Sequence, residues 1–195
     1  MKVGLYFGSF NPIHHGHLII AEFMLNQANL DEVWMIVSPQ NPLKSSVDLY
    51  PEKDRLRMVE LAIGENERIK ACDVEFGMPR PSYSINTLKH LTDTHPNYEF
   101  FLIMGTDTLQ HLDKWKDFEF ILMNYKILSY QRESSLGGEF AKNQKVKVYK
   151  APAIQISATY IRGLLRMKKS IKYLVPEAVH EYLNALKENS ALVSA

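Results

Sequence analysis

The chain has 195 residues, 46% of them hydrophobic, enough to bury the core of one domain. Twenty-three basic residues against twenty-two acidic ones leave a net charge of +1, which excludes a global basic footprint for nucleic acid and makes any phosphate binding local. A single cysteine, Cys72, excludes a disulfide framework and a thiolate zinc site; no apolar run nears the roughly 18 residues of a membrane span, and no signal-peptide pattern opens the chain, so a cytoplasmic protein without a membrane partner is expected.

Val3 to Phe7 reads as a buried strand. It runs into Gly8-Ser9-Phe10-Asn11-Pro12-Ile13-His14-His15-Gly16-His17, where Gly8 and Ser9 suit a tight turn and a helix is expected from His15 or Gly16. Asp31 to Ser38 reads as the second strand, followed by a Pro-containing loop, Pro39 to Tyr50. A helix is expected from Pro51 to Gly64, with Leu56, Val59 and Ile63 on one face. Arg68 to Phe76 reads as a third strand, and Ser82 as the cap of a helix reaching Thr94, before Pro96. Tyr98 to Met104 is the clearest buried strand and leads into Gly105-Thr106-Asp107. Asn124 to Gln131 and Lys145 to Tyr149 read as two further strands around a Gly-containing loop, and helices are expected over Ser157 to Met167 and Pro176 to Glu188.

Strands alternating with helices predict an α/β fold, a doubly wound, mostly parallel Rossmann-like sheet with helices on both faces. A single domain is expected, with a Rossmann-like core over about 1–150 and a small C-terminal helical part over about 151–189. Ligands of such sheets bind beyond the carboxyl ends of the strands. The unusual polar segments fall there: Gly8 to His17, Pro39 to Lys44, and Gly105 to Asp107.

His14 and His17 are three residues apart, so their rings share one side of an opening helical turn whose free N–H groups and dipole favour an anion. Gly16 between them leaves room for a bound nucleotide. No carboxylate lies near in sequence, so a phosphate cradle accounts for these histidines better than zinc, and no resident metal is expected. Lys44 sits in a loop stiffened by Pro39 and Pro42, where a fixed cation can neutralise transition-state charge. Ser157, Thr159 and Arg162 make a second cradle at another helix start, with Ser157 as its cap. Asp107 suits a ribose hydroxyl, a metal or a helix cap, and Trp115 suits stacking on a flat ring or a structural role.

The string GSFNPIHHGHL, with ISATYIR near the carboxyl end, resembles the HxGH nucleotidylyltransferase superfamily, His14 and His17 matching its two motif histidines. Within it the chain is most similar to the bacterial nicotinate mononucleotide adenylyltransferases. Pro42-Leu43-Lys44 resembles their Pro-His-Lys loop, Asp54-Arg55-Leu56 their DRL helix, Ser82-Tyr83-Ser84 with Thr87-Leu88 their SYT and TL pattern, Met104-Gly105-Thr106-Asp107 their MGxD strand end, and Tyr173-Leu174-Val175-Pro176 their YLVP segment. Phe7, Leu43 and Ala158 depart from the pattern, at a second glycine, a histidine and a serine.

The resemblance implies transfer of AMP from ATP to nicotinate mononucleotide, forming the dinucleotide precursor of NAD and pyrophosphate, with Mg²⁺ arriving bound to ATP. It implies His14, His17, Lys44 and Arg162 as the catalytic set, and Ser157 and Thr159 as phosphate donors. Gly8, Ser9, Phe10, Gly105 and Asp107 would line the adenosine side, and Thr87 and Trp115 would border the pyridine ring. A homo-oligomer is compatible with the sequence. Two other readings are a phosphopantetheine adenylyltransferase and a nucleotide-binding regulator without turnover.

Overall fold

The computed structural model describes residues 1–40, 49–133 and 135–193. Six parallel strands form one sheet in the order β3-β2-β1-β4-β5-β6. They are β1 (Lys2–Gly8), β2 (Glu32–Val37), β3 (Ile69–Cys72), β4 (Glu99–Gly105), β5 (Lys126–Tyr130) and β6 (Val146–Tyr149). The chain winds outward from β1 to β3, then crosses back to lay β4 on the other side of β1. That reversal opens the switch point where ligands of doubly wound sheets bind. The expected α/β architecture is the one observed.

Because side chains alternate along a strand, the central strands feed two cores at once. Tyr6, Val33, Met35, Val37 and Ile103 point to one face, where α1 (His15–Gln27), α2 (Glu52–Ile63), α6 (Ala158–Arg166) and α7 (Glu177–Val193) bring Met24, Met58, Ile161, Val179 and Leu183. Leu5, Ile36, Leu102 and Ile127 point to the other, under Ile85, Leu88 and Leu91 of α3 (Ser84–Thr94) and Ile121 of α5 (Phe118–Asn124). A short α4 (Thr106–Leu109) starts where β4 ends. In β1, Gly4 admits close packing, since a Cβ there would lie 2.6 Å from Ile103 Cδ1.

Local boundaries differ from the sequence reading in three places. β3 stops at Cys72, and a 3-10 turn over Val74–Gly77 tucks Glu75 inside. Helix α3 starts at Ser84 with Tyr83 in the cap position, so Ser82 does not cap it. On α2, Val59 is buried as expected, but its neighbours in the core are Arg55 and Met58, while Leu56 and Ile63 are half-buried.

Candidate functional site

After β1 the backbone turns back over itself. Phe10 adopts a φ of 45° and buries its ring at 2% exposure directly over Gly8, where a Cβ would meet that ring at 2.7 Å. The ring then packs edge-on to Tyr6 and His17, with centroids 5.9 and 5.1 Å away. Phe10 therefore supports the loop from beneath. His14, in extended conformation, occupies the cap position of α1, and its ring stacks on His17 with centroids 3.7 Å apart. The His14 backbone N–H donates to His17 Nδ1 at 3.3 Å, so a neutral His17 carries its proton on Nε2 as a donor. Gly16 makes the stacking geometry accessible, since a Cβ there would lie 2.9 Å from His14 Nδ1 and 3.2 Å from Ile154 Cγ2.

His14 is buried at 4% exposure, and its pKa is lowered to about 4, chiefly by burial and further by the charges of Arg132 and His15. It is neutral at pH 7, and its Nδ1 is buried without a hydrogen-bond partner.

The C-terminal segment folds back onto this loop. Ser157 caps α6, its hydroxyl accepting the Tyr160 N–H at 3.2 Å, as its sequence position predicts. Arg162 donates to the Asn11 carbonyl at 2.9 Å and to Thr159 Oγ1 at 3.3 Å, which brings its guanidinium to the loop that carries His14. A second tie runs from the His15 N–H to the Leu174 carbonyl at 3.1 Å. Two helix amino ends and the groups near both chain termini thus converge on one region.

Two cavities open beside it, and Ser157, Thr159 and Arg162 are in the lining of neither. The smaller, about 210 Å³, is lined by His14, Gly16, His17, Arg132, Ile154 and Gln155 among others. The larger, about 520 Å³, takes Gly8, Ser38, Tyr83, Asp107, Trp115 and Lys116 into its walls. Tyr6 and Tyr130 line both, and their hydroxyls are 3.1 Å apart. Burial raises the pKa of each, so both remain neutral donors at pH 7. The aromatic walls of the larger cavity have the chemistry to stack on a flat ring, and the imidazoles and the Arg132 guanidinium of the smaller one have the chemistry to meet an anion.

Gly8, Gly105 and Asp107 line the larger cavity together with Trp115, rather than the cavity of the two histidines. At Gly105 a Cβ would collide with the Asp107 carboxylate, which also lies 3.9 Å from Arg132 Nε and accepts the Thr108 N–H at 3.0 Å. Ser9 enters through its backbone, its carbonyl accepting from Arg55 at 2.8 Å. Thr87 reaches neither cavity: it is 1% exposed and its hydroxyl donates to Glu75 Oε1 at 2.7 Å. Lys44 lies outside the described residues.

Three residues of the site escaped the sequence reading in this capacity. Arg55, 1% exposed, donates to the carbonyls of Ser9, Ser38, Pro39 and Tyr50 at 2.7 to 3.1 Å, so it ties the loops after β1 and β2 together. Its signal was a charge standing at helical spacing with Met58, Val59 and Ala62 on an apolar face. Arg132 follows β5 and adds a cation to the histidine cavity. Glu75 lies behind the larger cavity, bonded to Thr87.

Known proteins share this chain's sequence and shape. It is 47% identical over 186 residues to a Flavobacterium psychrophilum protein named probable nicotinate-nucleotide adenylyltransferase, covering 94% of this chain and 96% of that one. A Cytophaga hutchinsonii protein of the same name is 46% identical, with 96% and 97% covered. Plasmodium falciparum nicotinic acid mononucleotide adenylyltransferase, solved in complex with NaAD, superposes with a TM-score of 0.82 at 21% identity over 95% of each chain. Residues 5–164 match the cytidylyltransferase-like family model, and the chain belongs to that family.

Proposed function

We propose that the protein transfers the adenylyl group of ATP to nicotinate mononucleotide, giving nicotinate adenine dinucleotide and pyrophosphate, a step of NAD biosynthesis. One observation carries the reading: a cavity lined by two histidines and an arginine adjoins an aromatic-walled cavity, and the Tyr6–Tyr130 pair is common to both. The names of the relatives and of the structural neighbour support it.

An oxygen of the acceptor phosphate attacks the α-phosphorus of ATP. The new P–O bond forms as the bond to the β-phosphate bridge breaks, and the electron pair leaves with pyrophosphate. The nucleophile is already anionic and needs no general base, so rate comes from alignment and from stabilising charge on the α-phosphoryl and leaving-group oxygens. ATP and the mononucleotide together bring roughly six negative charges. In this reading His14 and His17 donate to ATP phosphates, Arg162 and Lys44 stabilise the transition state and pyrophosphate, and Ser157 and Thr159 add phosphate hydrogen bonds. Gly8, Ser9, Gly105 and Asp107 border the ribose and the bridge between the nucleotides, with the backbone of Phe10 completing the turn. Trp115 faces the pyridine ring, and Thr87 acts on that cavity from behind.

Among the described residues no group of three or more His, Cys, Asp or Glu side chains could hold a metal. Mg²⁺ fits as an ion held mainly by triphosphate oxygens, with Asp107 the carboxylate at hand, and it would supply neutralising charge there. Both substrates are nucleotides, and a cytoplasmic location completes the reading.

The test is a side-by-side rate measurement with ATP and nicotinate mononucleotide, nicotinamide mononucleotide or phosphopantetheine. Fastest dinucleotide formation from the acid is expected. Faster turnover with phosphopantetheine, or no ATP turnover with any acceptor, overturns the reading.

A further inference from the structure

Among the described residues, Glu75 is the one carboxylate as buried as the core, at 1% exposure. No cation faces it. The groups around it are hydroxyls: Thr87 on α3, which donates to Oε1 at 2.7 Å, Ser38 just past β2, and Ser82 in the segment before α3. Its other oxygen, Oε2, and the Ser82 hydroxyl are both buried without a hydrogen-bond partner. Burial pushes the Glu75 pKa up, and the three hydroxyls oppose that shift.

A desolvated carboxylate with no cation costs stability, and an apolar side chain in its place would pack at lower cost. What the carboxylate offers is direction: Thr87 of α3 donates to it, and the hydroxyls of Ser38 and Ser82 lie beside it. Ser38 and Ser82 both line the larger cavity, whose wall continues through Tyr83, Ser84 and Ile85. The segment from Ser82 to Thr87 thus forms that wall on one side and is anchored to Glu75 on the other.

We propose that Glu75 is a positioning residue for the acceptor cavity, its carboxylate fixing the Ser82–Thr87 segment against the end of β2 so that the wall keeps the shape that receives the mononucleotide. This rests on reading the larger cavity as the acceptor's.

Replacing a hydrogen-bonded pair by apolar groups of similar size leaves stability nearly unchanged, because neither member is left buried without the other. The Glu75→Met/Thr87→Val variant, which leaves only the weaker Ser38 and Ser82 contacts without their acceptor, should therefore melt near the wild-type temperature. Its KM for nicotinate mononucleotide should rise about tenfold, the scale of one lost hydrogen bond, while KM for ATP stays within about twofold. Glu75→Gln keeps an acceptor for Thr87 and should recover most of the acceptor affinity. Without ligand, amide exchange at Ser84, Ile85 and Asn86 should quicken in the double variant while the amides of α1 keep their rates. An unchanged acceptor KM, a parallel rise in both KM values with a lowered melting temperature, or unchanged exchange at the start of α3 would overturn the inference. Where the double variant does not fold, Thr87→Val alone is expected to raise the same KM, and an unchanged value has the same force. A wild-type enzyme that makes no dinucleotide from nicotinate mononucleotide defeats the functional reading instead, and the exchange measurement then decides the role of Glu75.

Discussion

His14 and His17 share a stack yet differ in what surrounds them. His17 is half-buried, its ring accepts the His14 N–H at Nδ1 and lines the histidine cavity, where in the proposed reading Nε2–H is the donor to phosphate. His17→Ala removes that donor and should lower turnover by about 10² or more, the scale of one preorganised donor, with an unchanged melting temperature; near-normal turnover would take His17 out of the site. His14 makes a prediction about stability. Its folded pKa is about 4, against about 6.5 in an unfolded chain, so below pH 6.5 the unfolded chain takes up a proton that the folded one refuses. Its contribution is complete above pH 6.5 and is lost progressively as pH falls toward 4. In urea unfolding, wild type should lose about 2 kcal/mol more than His14→Gln between pH 7.5 and pH 5. Equal losses would mean that the ring is not held neutral by its burial.

Elements whose signals are local were legible in the sequence. The turn into α1, the buried run of β4 and the Ser157 cap depend on residues a few positions apart, and all three stand where the pattern puts them. What the sequence concealed depends on partners brought together by the sheet. Thr87 on α3 bonds to Glu75, twelve positions earlier in a separate 3-10 turn, so no spacing rule shows that the hydroxyl is spent on a buried acid rather than a ligand. Ser82 has a cap's composition, yet its hydroxyl faces Glu75 and the extended Tyr83 takes the cap position of α3. Arg55 is the clearest case, because its four carbonyl partners come from the loops after β1 and β2 and from the approach to α2. Arg55→Met should cost about 3 kcal/mol or more, since it orphans several buried carbonyls together. Arg55→Lys should restore little, because a point-like ammonium cannot reproduce the planar fork. Thermal unfolding of both variants checks this, and a wild-type melting temperature in Arg55→Met would mean that these loops hold their places without the guanidinium.

At the scale of the whole molecule, strand order decides how two substrates can meet. With β4 beside the central β1 and β5 beyond it, Tyr6 and Tyr130 are brought close enough for their hydroxyls to lie 3.1 Å apart at the carboxyl end of the sheet. The two cavities meet at this pair, one with the imidazoles and Arg132, the other with Trp115 and Tyr83. Helix α6 places Arg162 on the loop that precedes α1, and in the proposed reading the two adjoining cavities hold donor and acceptor at once, with no residue needed to carry the phosphoryl group between them. A direct displacement of that kind brings the acceptor oxygen in opposite the departing pyrophosphate and inverts the α-phosphorus. ATP made chiral by sulfur at the α-phosphate should therefore give a dinucleotide of inverted configuration. Retention would require two displacements, and the neutral, cavity-lining imidazole of His14 or its neighbour His17 would become the candidate for a covalent phosphoramidate.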